Sequence, residues 1–181
     1  MEMSLNLLES AREMNKEALV EIFDCYSRAL YNYAFRLCND ALLADNIVGD
    51  VFAKLLDQLS LGKGPNTNLR SYLFEAAYHL IVDETRKSHR GVPLEVIDTL
   101  RYDGYTATLN LENPILLEII MQAVKNDLTE DQRHVIILRF LEGFSLLETA
   151  SIIGKEVNYV KVIQNRAVAR LRRILEYKVV R

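Results

Sequence analysis

The chain has 181 residues, half of them apolar, with seven Gly, three Pro and a formal net charge of −3. That is enough apolar material to bury real cores, and the acidic balance excludes a general polyanion binder. So few Gly and Pro, with β-branched residues inside helical-period runs, point to an all-α fold. No apolar run approaches a membrane span. The opening residues MEMSLNLLESARE carry charge early, unlike a signal peptide, so the expected location is cytoplasmic, with no membrane insertion.

Helical periodicity starts after Asn15, a capping residue for a helix opening on Lys16-Glu17. Its apolar positions are Leu19, Ile22, Phe23, Tyr26, Leu30, Tyr33, Ala34 and Leu37, and Asn39-Asp40 breaks it after Cys38. Cys25 and Cys38 lie in this pattern without CxxC spacing or a His companion, which predicts buried, reduced thiols and no metal. A second helix follows with Ala44, Ile47, Val48, Val51, Phe52, Leu55 and Leu56 inside and Asp45, Asn46, Asp50 and Asp57 on the other face. Gly49 in its middle costs up to about 1 kcal/mol relative to Ala; either it lets another helix approach closely or it is tolerated with no role of its own.

Ser60–Asn68 (SLGKGPNTN) reads as a polar loop, and Asn68 as the cap of a third helix from Leu69 to about Ser88. Leu69, Leu73, Ala76, Ala77 and Leu80 form its core stripe. Arg70, Tyr72, Phe74, Tyr78, His79, Asp83, Arg86 and Lys87 lie on its other surface. Aromatic rings beside cations, next to a flexible loop, suit unpaired bases and their phosphates. Spacing alone favours the plainer alternative that Tyr72 and Phe74 pack on a neighbouring helix.

Gly91–Asn113 has no sustained helical period and is net acidic. Its length exceeds usual connections within a compact domain, so it reads as a flexible linker between two small helical domains, residues 1–90 and 114–181. Asn113-Pro114 restarts helix, with Ile115, Leu116, Ile119, Ile120, Ala123 and Val124 on its inner face.

Leu128–Arg173 then reads helix, turn, helix, tight turn, helix. Thr129 with Gln132, and Ser145 with Glu148, have capping-box spacing. Gly143 and Gly154 stand where a left-handed residue ends a helix. From Lys155 to Arg181 eight Lys/Arg face two Glu, a local +6 that leaves −9 on residues 1–154. Charge alone fits a solvated amphipathic helix as well as a DNA face; the paired caps and turn favour a helix-turn-helix whose last helix enters the major groove.

In this order the pieces resemble the extracytoplasmic-function (ECF) class of bacterial RNA polymerase sigma factors, over nearly the whole chain. LTEDQRHVIILRFLEGFSLLETASIIGKEVNYVKVIQNRAVARLRR is similar to that family's fourth region. ADNIVGDVFAKLL is similar to the second-region helix that docks on the polymerase, and NLRSYLFEAAYHLIVDETRKSHR to the promoter-melting helix. The resemblance implies a sigma factor that directs polymerase to promoters and initiates transcription. Its partners would be the core polymerase, promoter DNA and an anti-sigma factor, with no cofactor, metal or small-molecule substrate and no catalysis of its own.

Residue by residue, it implies that Asp45, Asn46, Val48, Gly49 and Asp50 meet a coiled coil of the polymerase's largest subunit. Lys63, Asn66 and Asn68 would hold a flipped-out base of the −10 element. Arg70, Tyr72, Phe74, Tyr78, His79, Arg86 and Lys87 would follow the opening strand. Asn158, Tyr159, Lys161, Val162, Asn165, Arg166 and Arg170 would read or grip −35 DNA, with Arg172 and Arg173 on phosphate or polymerase. Glu75, Tyr78 and His79 stand where the family often has Arg, Arg and Asn, and Ile163-Gln164 where Arg-Leu is common. Two other classes fit parts of the pattern. A helix-turn-helix regulator would act as a dimer on palindromic sites without polymerase. An enzyme would use Glu75, His79 and Asp83, spaced i, i+4, i+8, as metal ligands or acid/base groups.

Overall fold

The computed structural model describes residues 2–88 and 114–179, with side chains described over 6–87 and 118–176. The linker expected over Gly91–Asn113 lies outside these residues, as does the cap expected at Asn113. All regular structure among the described residues is helical, and the chain divides into two units, Met1–Arg86 and Lys87–Arg181.

The first unit holds α1 (Glu2–Arg12), α2 (Lys16–Cys38), α3 (Ala41–Ser60) and α4 (Leu69–Ser88). Helix α1 was not foreseen: it is short and opens on polar residues, and it is held by burying Leu8 and Ala11 against α2 and α3. It ends in a turn with bonds from Met14 N–H to Ala11 O and from Asn15 N–H to Ser10 O. Met14 takes the left-handed conformation there, at φ 57°. Asn15 then caps α2, its side-chain oxygen accepting from Ala18 N–H at 2.9 Å. The two backbone bonds of the turn and the Asn15 cap, so close in sequence to the left-handed Met14, fix the angle at which α1 enters.

Helix α2 buries Ala18, Ile22, Leu30, Tyr33 and Ala34, and α3 buries Ala44, Ile47, Val48, Val51, Phe52, Leu55 and Leu59. Three sequence expectations need correction here. Cys25 is exposed and Cys38 half-buried, because the buried line of α2 runs from Ile22 to Leu30 and Cys25 faces away from it. Phe23 remains 45% exposed, with its ring 4.8 Å from that of Phe52. Leu56, expected inside, is 39% exposed on the outer flank of α3.

The second unit holds α5 (Pro114–Asp127), α6 (Glu130–Ile136), α7 (Leu146–Ile152) and α8 (Val157–Val179). Ala123, Val124, Leu128, Ile136, Ala167 and Leu171 form a buried cluster joining α5, α6 and α8. Both capping boxes are closed: Gln132 and Glu148 return bonds to the backbone N–H of Thr129 and Ser145, at 3.1 and 2.8 Å. Helix α6 does not run on to Gly143 as an α-helix. Ile137–Leu141 is a π turn, with Glu142 N–H bonded to Ile137 O, followed by Gly143 at φ 72°.

His134 sits inside this unit, 1% exposed. Burial, then the nearby Arg133, lowers its pKa from 6.5 to about 3, against a smaller opposing pull from Asp131. The ring is therefore neutral in the fold, while the unfolded chain takes up a proton below its ordinary pKa. The stabilisation is complete above that value and is lost as pH falls towards the folded one. We expect the second unit to lose about 1.4 kcal/mol per pH unit between about pH 6 and about pH 4. Urea melts of the full chain, followed through methyl signals of α6 and α8, check the slope. His134→Gln should flatten it whatever happens to the midpoint.

Candidate nucleic-acid interface

On α8 the sequence separates two faces. Val160, Ile163, Ala167 and Leu171 are buried at steps of three and four. Asn158, Tyr159, Lys161, Val162, Asn165, Arg166 and Arg170 are all exposed, as are Arg172 and Arg173. Every residue expected on the reading arc thus lies on one open side of one helix. The turn before it is short because Gly154, at φ 62°, closes α7 with bonds from Gly154 N–H to Ser151 O and from Lys155 N–H to Ala150 O.

Two cross-links aim α8, and spacing did not reveal either. The Tyr159 hydroxyl donates to Asp131 Oδ2 at 2.6 Å, with Lys155 Nζ 5.8 Å from the Tyr159 ring centre. Tyr159 therefore offers its ring rather than its hydroxyl. Arg139, on the π turn, donates from Nε to Gln164 Oε1 at 2.9 Å and from Nη1 to the Phe144 carbonyl. Ile163-Gln164, which departs from the family's usual Arg-Leu, thus fills two structural places: Ile163 in the core, Gln164 on the Arg139 fork.

In the first unit the loop Leu61–Asn68 is tightly made. Gly62, at φ 68°, ends α3 with its N–H on Leu59 O, while Lys63 N–H reaches Gln58 O at 2.8 Å. Pro65 is buried, and Lys63, Asn66 and Asn68 are exposed. Asn68 Oδ1 accepts from Ser71 N–H at 3.0 Å, as a cap for α4 should.

Helix α4 is where the expected site changes most. Phe74 is fully buried and Tyr78 nearly so. The Phe74 ring lies 5.3 Å from that of Tyr33 on α2, and the Arg70 guanidinium covers it at 5.5 Å. Both rings belong to the core and are withdrawn from the base-stacking surface. Tyr72 is half-buried with its hydroxyl enclosed, and burial and then Glu75 raise its pKa. The open polar surface of α4 is His79, Asp83, Arg86 and Lys87, with Arg70 at its edge. His79 Nε2 lies 4.0 Å from Glu75 Oε1. Among the described residues, no group of three or more His, Cys, Asp or Glu could hold a metal ion.

On α3, Asp45, Asn46, Gly49 and Asp50 are exposed together, whereas Val48 is 8% exposed and turned into the bundle. Val48 is therefore removed from the expected docking face: it lies one residue after Ile47 on the buried side of the same helix.

Among the described residues, no helix is long and apolar enough to cross a membrane. The family model for Sigma-70 region 2 matches residues 22–91, and that for Sigma-70 region 4 matches residues 126–173. The ECF RNA polymerase sigma factor BldN of Streptomyces coelicolor is 25% identical over 177 residues, covering 94% of this chain; the chain spans 65% of that relative's length. The ECF RNA polymerase sigma factor EcfG of Rhodopseudomonas palustris is 31% identical over 153 residues, 81% of this chain and 79% of the relative. Among solved structures, the sigma factor RpoE from Bartonella quintana, in complex with the anti-sigma factor NepR, matches with a TM-score of 0.67 and 26% identity, over 86% of this chain and 95% of that one. With both regions matched in order, and a relative 31% identical matched over 79% of its length, the chain belongs to the ECF RNA polymerase sigma factors.

Proposed function

We propose that this chain is a cytoplasmic promoter-specificity subunit with no chemistry of its own, built as residues 1–90, a linker over 91–113 and residues 114–181. The arc on α8 grips duplex −35 DNA. The loop Leu61–Asn68 captures a −10 base, and Arg70, Tyr72, His79, Arg86 and Lys87 follow the strand as it opens. The α3 face of Asp45, Asn46, Gly49 and Asp50 docks on core polymerase. An anti-sigma protein is a further partner, since the similar sigma factor RpoE from Bartonella quintana is solved in complex with one.

The observation that carries this reading is the separation on α8. A basic arc free of buried side chains, closed behind by Val160, Ile163, Ala167 and Leu171, is what a major-groove helix requires. Within it, Asn165 suits an adenine edge and Arg166 a guanine edge or a phosphate. With a −35 duplex selected on reconstituted holoenzyme, Asn165→Ala should cost about 1–3 kcal/mol at one base pair and relax preference there. Arg172→Ala should weaken all duplexes evenly and lower the salt slope by about one. Binding that keeps its full sequence preference after both Asn165→Ala and Arg166→Ala would remove α8 from the reading role.

A further inference from the structure

We infer that Arg12, on the N-terminal helix, is a positioning residue for base capture: it sets the −10 loop through Pro65 and Asn66. The inference rests on the reading of that loop given above. Arg12 closes α1, and its Nη2 donates to the Pro65 carbonyl at 2.9 Å and to Asn66 Oδ1. The bond spans more than fifty residues of chain, from before the stretch matched by the region 2 model, which begins at residue 22, into the middle of it.

The loop otherwise gains its order from its two ends. The turn at Gly62 and Lys63 fixes its start, and the Asn68 cap fixes its finish. Gly64 adopts φ 121° and would place a Cβ 3.3 Å from Leu59 Cδ2, so a side chain is strained there. Between these ends, Arg12 grips the apex. Its direction comes from the reversed turn at Met14, since the angle between α1 and α2 decides where the last residue of α1 points.

The bond also orients Asn66. A guanidinium has donors only, so the Asn66 atom facing it is the amide oxygen. Asn66 is exposed, and what it then presents to a captured base is its NH2 group. A base offering acceptors at that edge is favoured over one that needs an acceptor from the protein. Ordering the apex in advance lowers the cost of binding, and fixing the amide gives preference.

The test uses the full chain reconstituted with bacterial core polymerase. Single-stranded oligonucleotides with a randomised segment are selected on it, and the four bases are then compared at each position of the selected sequence. Arg12→Ala and Arg12→Lys should both flatten discrimination, by roughly tenfold, at one position. Lys keeps the charge, but its ammonium sits on a shorter, flexible stem and lacks the fixed guanidinium plane that directs the two Nη2 hydrogens at Pro65 O and Asn66 Oδ1. Asn66→Asp, which turns the presented donors into acceptors, should change the preferred base at that same position. A uniform loss for all oligonucleotides that Arg12→Lys restores would overturn the inference, leaving Arg12 as a simple charge. Substitutions of Lys63 and Asn66 that alter discrimination where those of Arg12 do not would also overturn it, with the loop reading intact. If no loop substitution alters discrimination at any position, the loop reading fails and this inference falls with it.

Discussion

Gly49→Ala is expected to stabilise the free protein and to weaken its hold on core polymerase. Gly49 lies in the middle of α3, where an added Cβ meets nothing within 4 Å. The free chain can therefore accept Ala without strain, and its helix should gain up to about 1 kcal/mol. The docking partner would meet that methyl directly. Along the exposed side of α3, Leu42 and Leu56 stand out at 71% and 39% exposure, with Asn46, Gly49 and Ala53 between them. Small residues between larger ones make a shallow saddle into which a helix can settle. Overpacking such a contact costs about 1–3 kcal/mol, roughly five- to 150-fold in affinity. Urea denaturation and fluorescence anisotropy with labelled core measure the two effects. Affinity that follows stability upwards would place the polymerase on some other face.

Arg139→Ala should be the most damaging single change in the second unit outside its core. It removes the bonds to Gln164 and to the Phe144 carbonyl together, both donated by a charged group. A loss of about 2–3 kcal/mol follows from the usual worth of such bonds. It also frees the segment between α6 and α7 to move relative to α8, so −35 affinity should fall by more than the loss of one positive charge explains. Gln164→Leu restores the residue common in the family and leaves the Phe144 bond in place. It should cost about 1 kcal/mol and spare most DNA binding. Equal effects from the two substitutions on stability and on DNA affinity would show that Arg139 does not act as a clamp.

Local chemistry made the second unit legible before its structure was known. The two capping boxes and the glycine turn lie within a few residues in sequence, and each determines its own backbone. Tertiary bonds were not legible. Arg139 meets Gln164 twenty-five residues away, and Arg12 reaches Pro65 across fifty-three. No periodicity records such distances. The π turn was equally hidden, because Ile137–Leu141 continues the apolar pattern of an α-helix.

The aromatic residues of α4 were divided between two readings, and the structure separates them. Phe74 and Tyr78 are core residues because α4 buries more than one stripe: Leu69, Leu73, Ala76, Ala77 and Ile81 occupy the remaining buried positions. A helix packed on a broad face hides its periodicity. Cys25 departs in a smaller way, by about one position of helical rotation, while Val48 lies inside as its periodicity predicts and departs only from the docking role the resemblance implies.

In the proposed function, two helical units act together on one promoter through a polymerase that supplies the chemistry. Run-off transcription from a selected promoter, with bacterial core polymerase and the purified chain, tests it most directly. Transcripts of defined start are expected only when both are present, abolished by changes at either the α8 arc or the −10 loop. A chain that never associates with core, yet binds palindromic duplex DNA unaided as a dimer, would contradict it.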